Sequence, residues 1–144
     1  MTDAEIIATY GDPFDPHFER NRIVFVQLPY HLIFLNAMVR RVRCHELVAT
    51  SLREIFEEIF DAGLEEHATH YAGIYALRKQ RQNSNRLSAH SWGIAIDLNA
   101  ERLPQGSELD QHSGVVEIFK KHGWYYGGDF KPLRDPMHMS AIRR

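Results

Sequence analysis

The chain has 144 residues, of which 44% are hydrophobic and 25% are charged, and its formal net charge is -2. This length predicts one compact domain over residues 1–144 and leaves little room for a second. The mixed charge gives no general attraction to nucleic acid or to an anionic membrane, so we expect neither as a partner. A single cysteine, Cys44, excludes an internal disulfide and is interpreted as a small buried apolar residue.

The N-terminal part of the sequence predicts one short helix followed by extended segments. Thr2 and Glu5 have the spacing of a capping box, which indicates a helix that ends at Gly11. The next apolar residues are mostly β-formers, and Pro29 interrupts them. The predicted extended segments cover roughly residues 22–28, 31–35 and 38–43.

The rest of the chain mixes helices and strands. Residues 46–62 have apolar side chains at a helical period and predict the main amphipathic helix. A second helix is predicted over 113–123, and short strands over 93–99 and roughly 137–141. Since these elements do not alternate regularly, the sequence predicts an α+β fold.

An aspartate interrupts the apolar segment "GIAIDLN" at 93–99. Alternate side chains of a strand share a face, so one face would be apolar and the other would carry the carboxylate. The predicted core face consists of Ile94, Ile96 and Leu98, and the other face of Gly93, Ala95, Asp97 and Asn99. The small residues leave room beside Asp97, and His90 precedes it across a short turn. Imidazole nitrogen and carboxylate oxygen form a ligand pair typical of zinc, so a metal site is predicted if a third ligand is available.

His138 has the most suitable context for that third ligand. Pro136 favours an extended conformation for Asp135, and the following residues alternate like a strand. If this tail strand pairs with 93–99, His138 lies near Asp97, and Asp135 lies close by as a carboxylate that can accept a proton from water. The remaining histidines are interpreted as surface, structural or helix-terminal residues: His17, His31, His45, His67, His70, His112 and His122.

The segment "SAHSWGIAIDLN", followed by "GWYYGGDF" and "DPMHMS", resembles the zinc peptidases of the D-alanyl-D-alanine carboxypeptidase superfamily. This superfamily includes VanY- and VanX-like enzymes and phage L-alanyl-D-glutamate endopeptidases. The first half of the superfamily pattern is S-x-H-x-x-G-x-A-x-D, and the chain matches it at Ser88, His90, Gly93, Ala95 and Asp97. The second half is an acidic residue, two residues and His, and the chain matches it at Asp135 and His138. The resemblance is strongest over residues 71–139, and the phage endolysins are the members most similar to the N-terminal half. It implies a hedgehog- or DD-peptidase-like fold, with a small antiparallel sheet packed with helices.

The resemblance also implies a role for each matched residue. The zinc ligands would be His90, Asp97 and His138. Asp135 would be the general base, Arg78 would hold the scissile carbonyl or a substrate carboxylate, and Ser88 would lie near the metal and substrate pocket. In "MHMS", Met139 and Ser140 stand where relatives commonly have other residues, so the chain departs from the superfamily at a position that usually makes a supporting contact.

The implied activity is zinc-dependent hydrolysis of the stem peptide of bacterial peptidoglycan, without a covalent intermediate. Internal cleavage between L-Ala and D-Glu is favoured, because the segments flanking the motif are short and the loop over 100–111 is modest in length. The alternatives are a D-Ala-D-Ala carboxypeptidase or dipeptidase, and a zinc-stabilised binding module without turnover. A nucleic-acid binder using the basic run 78–86 and the aromatic residues 124–126 is disfavoured by the negative net charge.

The N-terminus is acidic and lacks both a basic lead and a long apolar run. We therefore expect no signal peptide, no membrane insertion and synthesis in a cytoplasm. A monomer is expected, which would act on the cell wall after release if it is a lysin.

Overall fold

The computed structural model describes residues 1–81 and 83–143 and shows an α+β arrangement of two small antiparallel sheets with helices. The fold class predicted from the sequence is confirmed. The helices are α1 (Asp3–Tyr10), α2 (Phe18–Arg22), α3 (Ala49–Asp61) and α4 (Ser113–Lys121), and the strands are β1 (Ile23–Phe34), β2 (Ala37–His45), β3 (Ala95–Asp97), β4 (Tyr125–Tyr126) and β5 (His138–Ser140).

The extended segments of the N-terminal half form one long hairpin of β1 and β2. The predicted break between the first two extended segments was wrong, because β1 continues through Pro29 as a single strand. The pairing register shifts between Gln27 and Leu32, where the proline lacks the N–H that a regular ladder needs. Leu35 and Asn36 make the turn with positive φ angles of 48° and 66°.

Three of the four helices correspond to predicted ones. The capping box of α1 is present, with the Glu5 amide donating to Thr2 Oγ1 at 3.2 Å and the Thr2 amide donating to Glu5 Oε2 at 2.9 Å. The long helix α3 begins at Ala49, after a single 3-10 turn over Glu46–Val48. The five-residue α2 was not predicted.

The second sheet has the strand order β3-β5-β4, with antiparallel neighbours. The pairing of β3 with the tail strand β5 was predicted, and it places Asp97 opposite His138. Strand β3 is shorter than the predicted 93–99, because Gly93 and Asn99 have positive φ angles of 71° and 57°. Asn99 therefore does not share the face of Asp97 as predicted.

A buried apolar cluster joins the hairpin, the helices and the second sheet. The apolar face of α3 contributes Leu52, Ile55, Phe56 and Ile59, all fully buried. Trp92 and Ile96 enter the same cluster from the segments that carry the site, so the core fixes the backbone on which the site is built. Among the described residues, none of the helices has the length and apolar character that crossing a membrane requires.

Candidate metal centre and active site

His90 lies in the 3-10 turn Ala89–Trp92, and both ends of that turn are fixed. Ser88 caps the start of the turn, because its Oγ accepts a hydrogen bond from the His90 amide at 3.3 Å. Gly93 ends it in the left-handed region, where a Cβ would lie 2.9 Å from Ile23 Cδ1 and 3.0 Å from the His45 amide nitrogen. Only glycine fits this conformation and this close approach without strain.

The imidazole of His90 has a defined orientation. Its Nδ1 lies 2.7 Å from the carbonyl oxygen of Ile74, which can only accept, so Nδ1 carries the proton and donates. The other nitrogen, Nε2, is therefore unprotonated in the neutral ring. It lies 3.2 Å from Asp97 Oδ2.

His138 approaches the same carboxylate from the neighbouring strand. Its Nδ1 lies 3.1 Å from Asp97 Oδ1, as expected for opposed residues of β3 and β5. The three residues offer ligand atoms that all lie within 4.8 Å of one another. In the part of the chain that the structure describes, they are the only group of three or more such residues placed to hold a metal ion.

The donor set and its spacing fit zinc. Imidazole nitrogen and carboxylate oxygen are zinc ligands, and the two nitrogens lie 3.2 and 3.1 Å from different oxygens of Asp97, with one ligand atom from each residue within 4.8 Å of the others. Among the described residues, His90 Nε2 is buried without a hydrogen-bond partner, which is costly unless another group binds there. Burial opposes ionisation of Asp97, yet the two histidines outweigh it and lower the pKa of that carboxyl well below its usual range. Asp97 is thus a carboxylate at neutral pH, the form that binds a metal.

The six residues singled out from the sequence line one cavity: Arg78, Ser88, His90, Asp97, Asp135 and His138. The structure therefore brings all of them together, although the sequence separates the first and the last by 60 positions. Phe130 lines the cavity as well, with its ring 5.9 Å from that of His138.

Asp135 is held at the cavity by its backbone. Its amide donates to the carbonyl oxygen of Gly127 at 2.8 Å, and its own carbonyl accepts from the His138 amide at 2.9 Å. Its Oδ1 is buried without a hydrogen-bond partner among the described residues. Burial raises the pKa of Asp135 and the charge of Asp97 adds to this, while His138, His90 and Arg81 oppose it. A carboxyl of raised pKa beside residues that could hold a metal ion suits proton transfer.

Arg78 reaches the cluster from the loop before the histidine motif. Its Nη2 lies 3.8 Å from Asp97 Oδ2, and its side chain is 35% exposed, so the guanidinium faces both the carboxylate and the open cavity. The loop is tied to the motif through Ser91, whose Oγ accepts from the Arg78 amide at 3.0 Å and donates to its carbonyl at 2.8 Å. The Ser88 amide also donates to the Arg78 carbonyl at 2.8 Å.

Sequence reasoning missed Ser91, Phe130 and the buried Gln111. Ser91 lies beside His90 in the motif, but a lone serine carries no signal that it will bind a backbone 13 residues earlier. Gln111 lies at the end of a polar loop, where nothing in the local pattern indicates burial.

The unusual residues after His138 lie away from the cavity. Met139 is fully buried in the core cluster, and Ser140 Oγ accepts from the Ile142 amide at 3.3 Å. Ser140 thus holds the end of the chain.

Other features that the sequence analysis weighed have separate surroundings. The rings of His67 and His112 stack 4.2 Å apart, and His122 pairs with Glu58 at 3.0 Å. Within the basic run 78–86, Gln82 lies outside the described residues. Trp124 and Tyr126 are buried, so they do not offer the exposed stacking surface that a nucleic-acid binder would need.

Comparison with known proteins gives one family match. Residues 82–141 match the family described as D-alanyl-D-alanine carboxypeptidase. The matched segment contains His90, Asp97, His138 and Asp135, whereas Arg78 lies just before it. No curated protein and no solved structure matches the chain. The match thus supports, for the segment that carries the cluster, a place in the zinc peptidase superfamily that the motifs resemble.

Proposed function

We propose that this protein is a zinc-dependent peptidase that hydrolyses the stem peptide of bacterial peptidoglycan, at the bond between L-Ala and D-Glu. The observation that carries the proposal is the convergence of His90, Asp97 and His138 on one buried point, inside the segment that matches the carboxypeptidase family. The same cavity is lined by Arg78 and by Asp135, whose Oδ1 has no hydrogen-bond partner among the described residues. Metal ligands, a proton acceptor and a cation are the groups that amide hydrolysis by an activated water requires.

His90, Asp97 and His138 would hold the zinc ion. When bound, zinc would supply a Lewis acid that polarises the substrate carbonyl and makes water acidic. Asp135 would accept the proton of the attacking water and later return it to the leaving amine. Arg78 would donate hydrogen bonds to the carbonyl oxygen as it gains negative charge. Ser88 would hold the turn that carries His90 and would form part of the wall of the cavity that receives the substrate.

The shape of the surface around the cluster supports internal cleavage over removal of a terminal residue. The site cavity adjoins a second one that shares Arg78, Asp97 and Met137 and continues toward Ala72 and Glu101. Phe130 lines both the site cavity and a third cavity that extends to Tyr125. Concave surface beyond the cluster can accept a chain that runs on, whereas a carboxypeptidase needs a closed end at the substrate carboxylate.

The family described as D-alanyl-D-alanine carboxypeptidase favours the alternative, release of terminal D-Ala. Digestion of purified peptidoglycan by the zinc-loaded protein, followed by mass spectrometry of the fragments and labelling of new amino termini, separates the two. New D-Glu amino termini are expected. Release of D-Ala alone would contradict the endopeptidase proposal, and the absence of any cleavage would favour a binding module.

Asp135→Asn tests the proposed proton acceptor within the same assay. We expect this variant to retain zinc and to lose activity by roughly 10²- to 10⁴-fold, which a positioned general base typically contributes. Zinc content measured alongside activity is the control. Loss of zinc from this variant would make Asp135 a ligand and contradict the role assigned to it.

A further inference from the structure

We propose that Gln111 is a positioning residue, which sets the separation of the two strands that carry Asp97 and His138. The inference rests on the proposed function, because it concerns the metal centre of that same site. Gln111 lies at the end of the loop before α4 and is only 3% exposed.

The amide of Gln111 joins the two strand segments directly. Its Nε2 donates to the carbonyl oxygen of Leu98 at 2.8 Å and to that of Pro136 at 3.1 Å. Leu98 follows Asp97, and Pro136 lies between Asp135 and His138. One NH2 group, which has two hydrogens, therefore bridges the backbones of both ligand-bearing segments.

The orientation of this amide is fixed by its other contacts. Its Oε1 accepts from Asn99 Nδ2 at 2.9 Å, and that same nitrogen donates to the carbonyl oxygen of His67 at 2.9 Å. The backbone amide of Gln111 donates to the Tyr126 hydroxyl at 3.0 Å. A side chain whose oxygen faces a donor and whose nitrogen faces two acceptors cannot flip without losing all three bonds.

The bridge matters because the ladder it supports is short. Strands β3 and β5 have three residues each, and Asp97 and His138 form the last pair of their ladder. Just beyond that pair, the segments are joined by one backbone hydrogen bond, from the Leu98 amide to the Met137 carbonyl at 2.9 Å, and by the Gln111 amide. Without the Gln111 amide, the carbonyls of Leu98 and Pro136 would lose this donor, and a single backbone hydrogen bond would remain beyond the pair that sets the ligand spacing.

Gln111→Met tests the inference, since methionine has a similar size and no amide. The expected result is zinc binding weaker by about 10- to 100-fold, measured by competition with a chelator, as is typical when a group that orients ligands is lost. The cobalt-substituted variant should also have an altered visible absorption spectrum, since that spectrum reports ligand geometry. If Gln111 only stabilised the fold, the cobalt-substituted variant would have the same spectrum as the cobalt-substituted wild type.

Ser51→Ala is the matched control. It removes a partly buried hydrogen bond of 2.9 Å from Trp124 Nε1 to Ser51 Oγ, which lies outside the site cavity, and should leave zinc affinity unchanged. Asn99→Gly is the second variant, because it removes the partner of Gln111 Oε1 while glycine accepts the left-handed backbone there. Asn99→Gly should weaken zinc binding less than Gln111→Met does. If Gln111→Met fails to fold, the zinc affinity of Asn99→Gly tests the inference by itself.

Zinc affinities of the variants equal to that of the wild type would overturn the inference and leave the proposed function intact. Wild-type protein that takes up no zinc would overturn both.

Discussion

At the residue scale, the hydrogen bond from His90 Nδ1 to the carbonyl oxygen of Ile74 decides which imidazole nitrogen faces Asp97. The backbone thus selects the tautomer whose free lone pair points at the cluster, the usual way in which proteins orient a metal-binding histidine. His90 Nε2 is buried without a hydrogen-bond partner among the described residues. A buried nitrogen without a partner lowers the stability of the folded protein, and a ligand that binds Nε2 would offset this cost.

His138→Ala should lower zinc content sharply from about one ion per chain, because a site with two remaining ligands is no longer closed. Loss of a residue that only orients a metal ligand lowers affinity by up to roughly 100-fold, and the loss of zinc affinity in His138→Ala should be larger than that. Metal analysis after dialysis against a weak chelator measures it. His122→Ala is the control, since His122 pairs with Glu58. Full zinc retention by His138→Ala would rule out the assigned ligand set.

At the scale of the elements, the 3-10 turn Gly127–Asp129 packs closely against the segment that carries Asp135. A Cβ on Gly127 would lie 2.1 Å from the carbonyl oxygen of Asp135 and 3.0 Å from His138 Cβ. These neighbours are backbone and the base of a side chain, so they cannot rotate away. Glycine at this position therefore allows the tail segment to reach the cavity.

Gly127→Ala should destabilise the fold by about 1–3 kcal/mol, the usual cost of forcing an extra carbon into a packed region. It should also weaken zinc binding, because the displaced backbone carries Asp135 and leads to His138. Urea denaturation and a zinc titration measure the two effects.

Gly63→Ala is the comparison variant for Gly127→Ala. Gly63 has a φ of +71° with nothing within 4 Å of the added carbon, so alanine there introduces backbone strain of about 1–2 kcal/mol without a clash. Its zinc affinity should remain that of the wild type. If Gly127→Ala also binds zinc normally, the close contact does not position the site.

At the scale of the whole molecule, His45 connects the hairpin with α1 and with the turn that carries His90, because its amide donates to the Gly93 carbonyl at 2.9 Å. Its Nε2 lies 2.7 Å from the Tyr10 carbonyl, and its Nδ1 accepts from the Leu47 amide at 3.0 Å, so the folded protein holds the neutral ring. Burial lowers the pKa of His45, and Arg22 adds to this, while Glu46 and the Tyr10 carbonyl oppose it.

Acid should therefore favour unfolding through His45. An unfolded histidine binds a proton as the pH falls below about 6.5, whereas folded His45 does so only at a lower pH. Between those two values the unfolded chain binds more protons, so the free energy of unfolding falls as the pH falls. Urea denaturation at a series of pH values, with a chelator present, should show a shallower decrease for His45→Gln than for the wild type. Equal slopes would contradict the contribution assigned to His45.

Much of this molecule could be predicted from local sequence pattern. The capping box of Thr2 and Glu5, the apolar face of α3 and the end of α4 near Gly123 depend on residues within a few positions of one another. The motifs also indicated which side chains meet, because the pattern around His90 and Asp97 is short and continuous. Prediction failed at two places: β1 continues through Pro29 with a shift of register, and Asn99 has a positive φ that its neighbours in the sequence do not determine.

The sequence by itself determined which chemical groups are available to the cavity: two imidazoles, two carboxylates and an arginine, carried on short strands and loops. Only the tertiary structure decided how these groups face one another. The His90 tautomer depends on a carbonyl 16 residues away, the Arg78 loop on Ser91, and the spacing of Asp97 and His138 on strand pairing and on Gln111. Such contacts join residues distant in sequence, and their geometry follows from packing of the whole core, which no local period encodes.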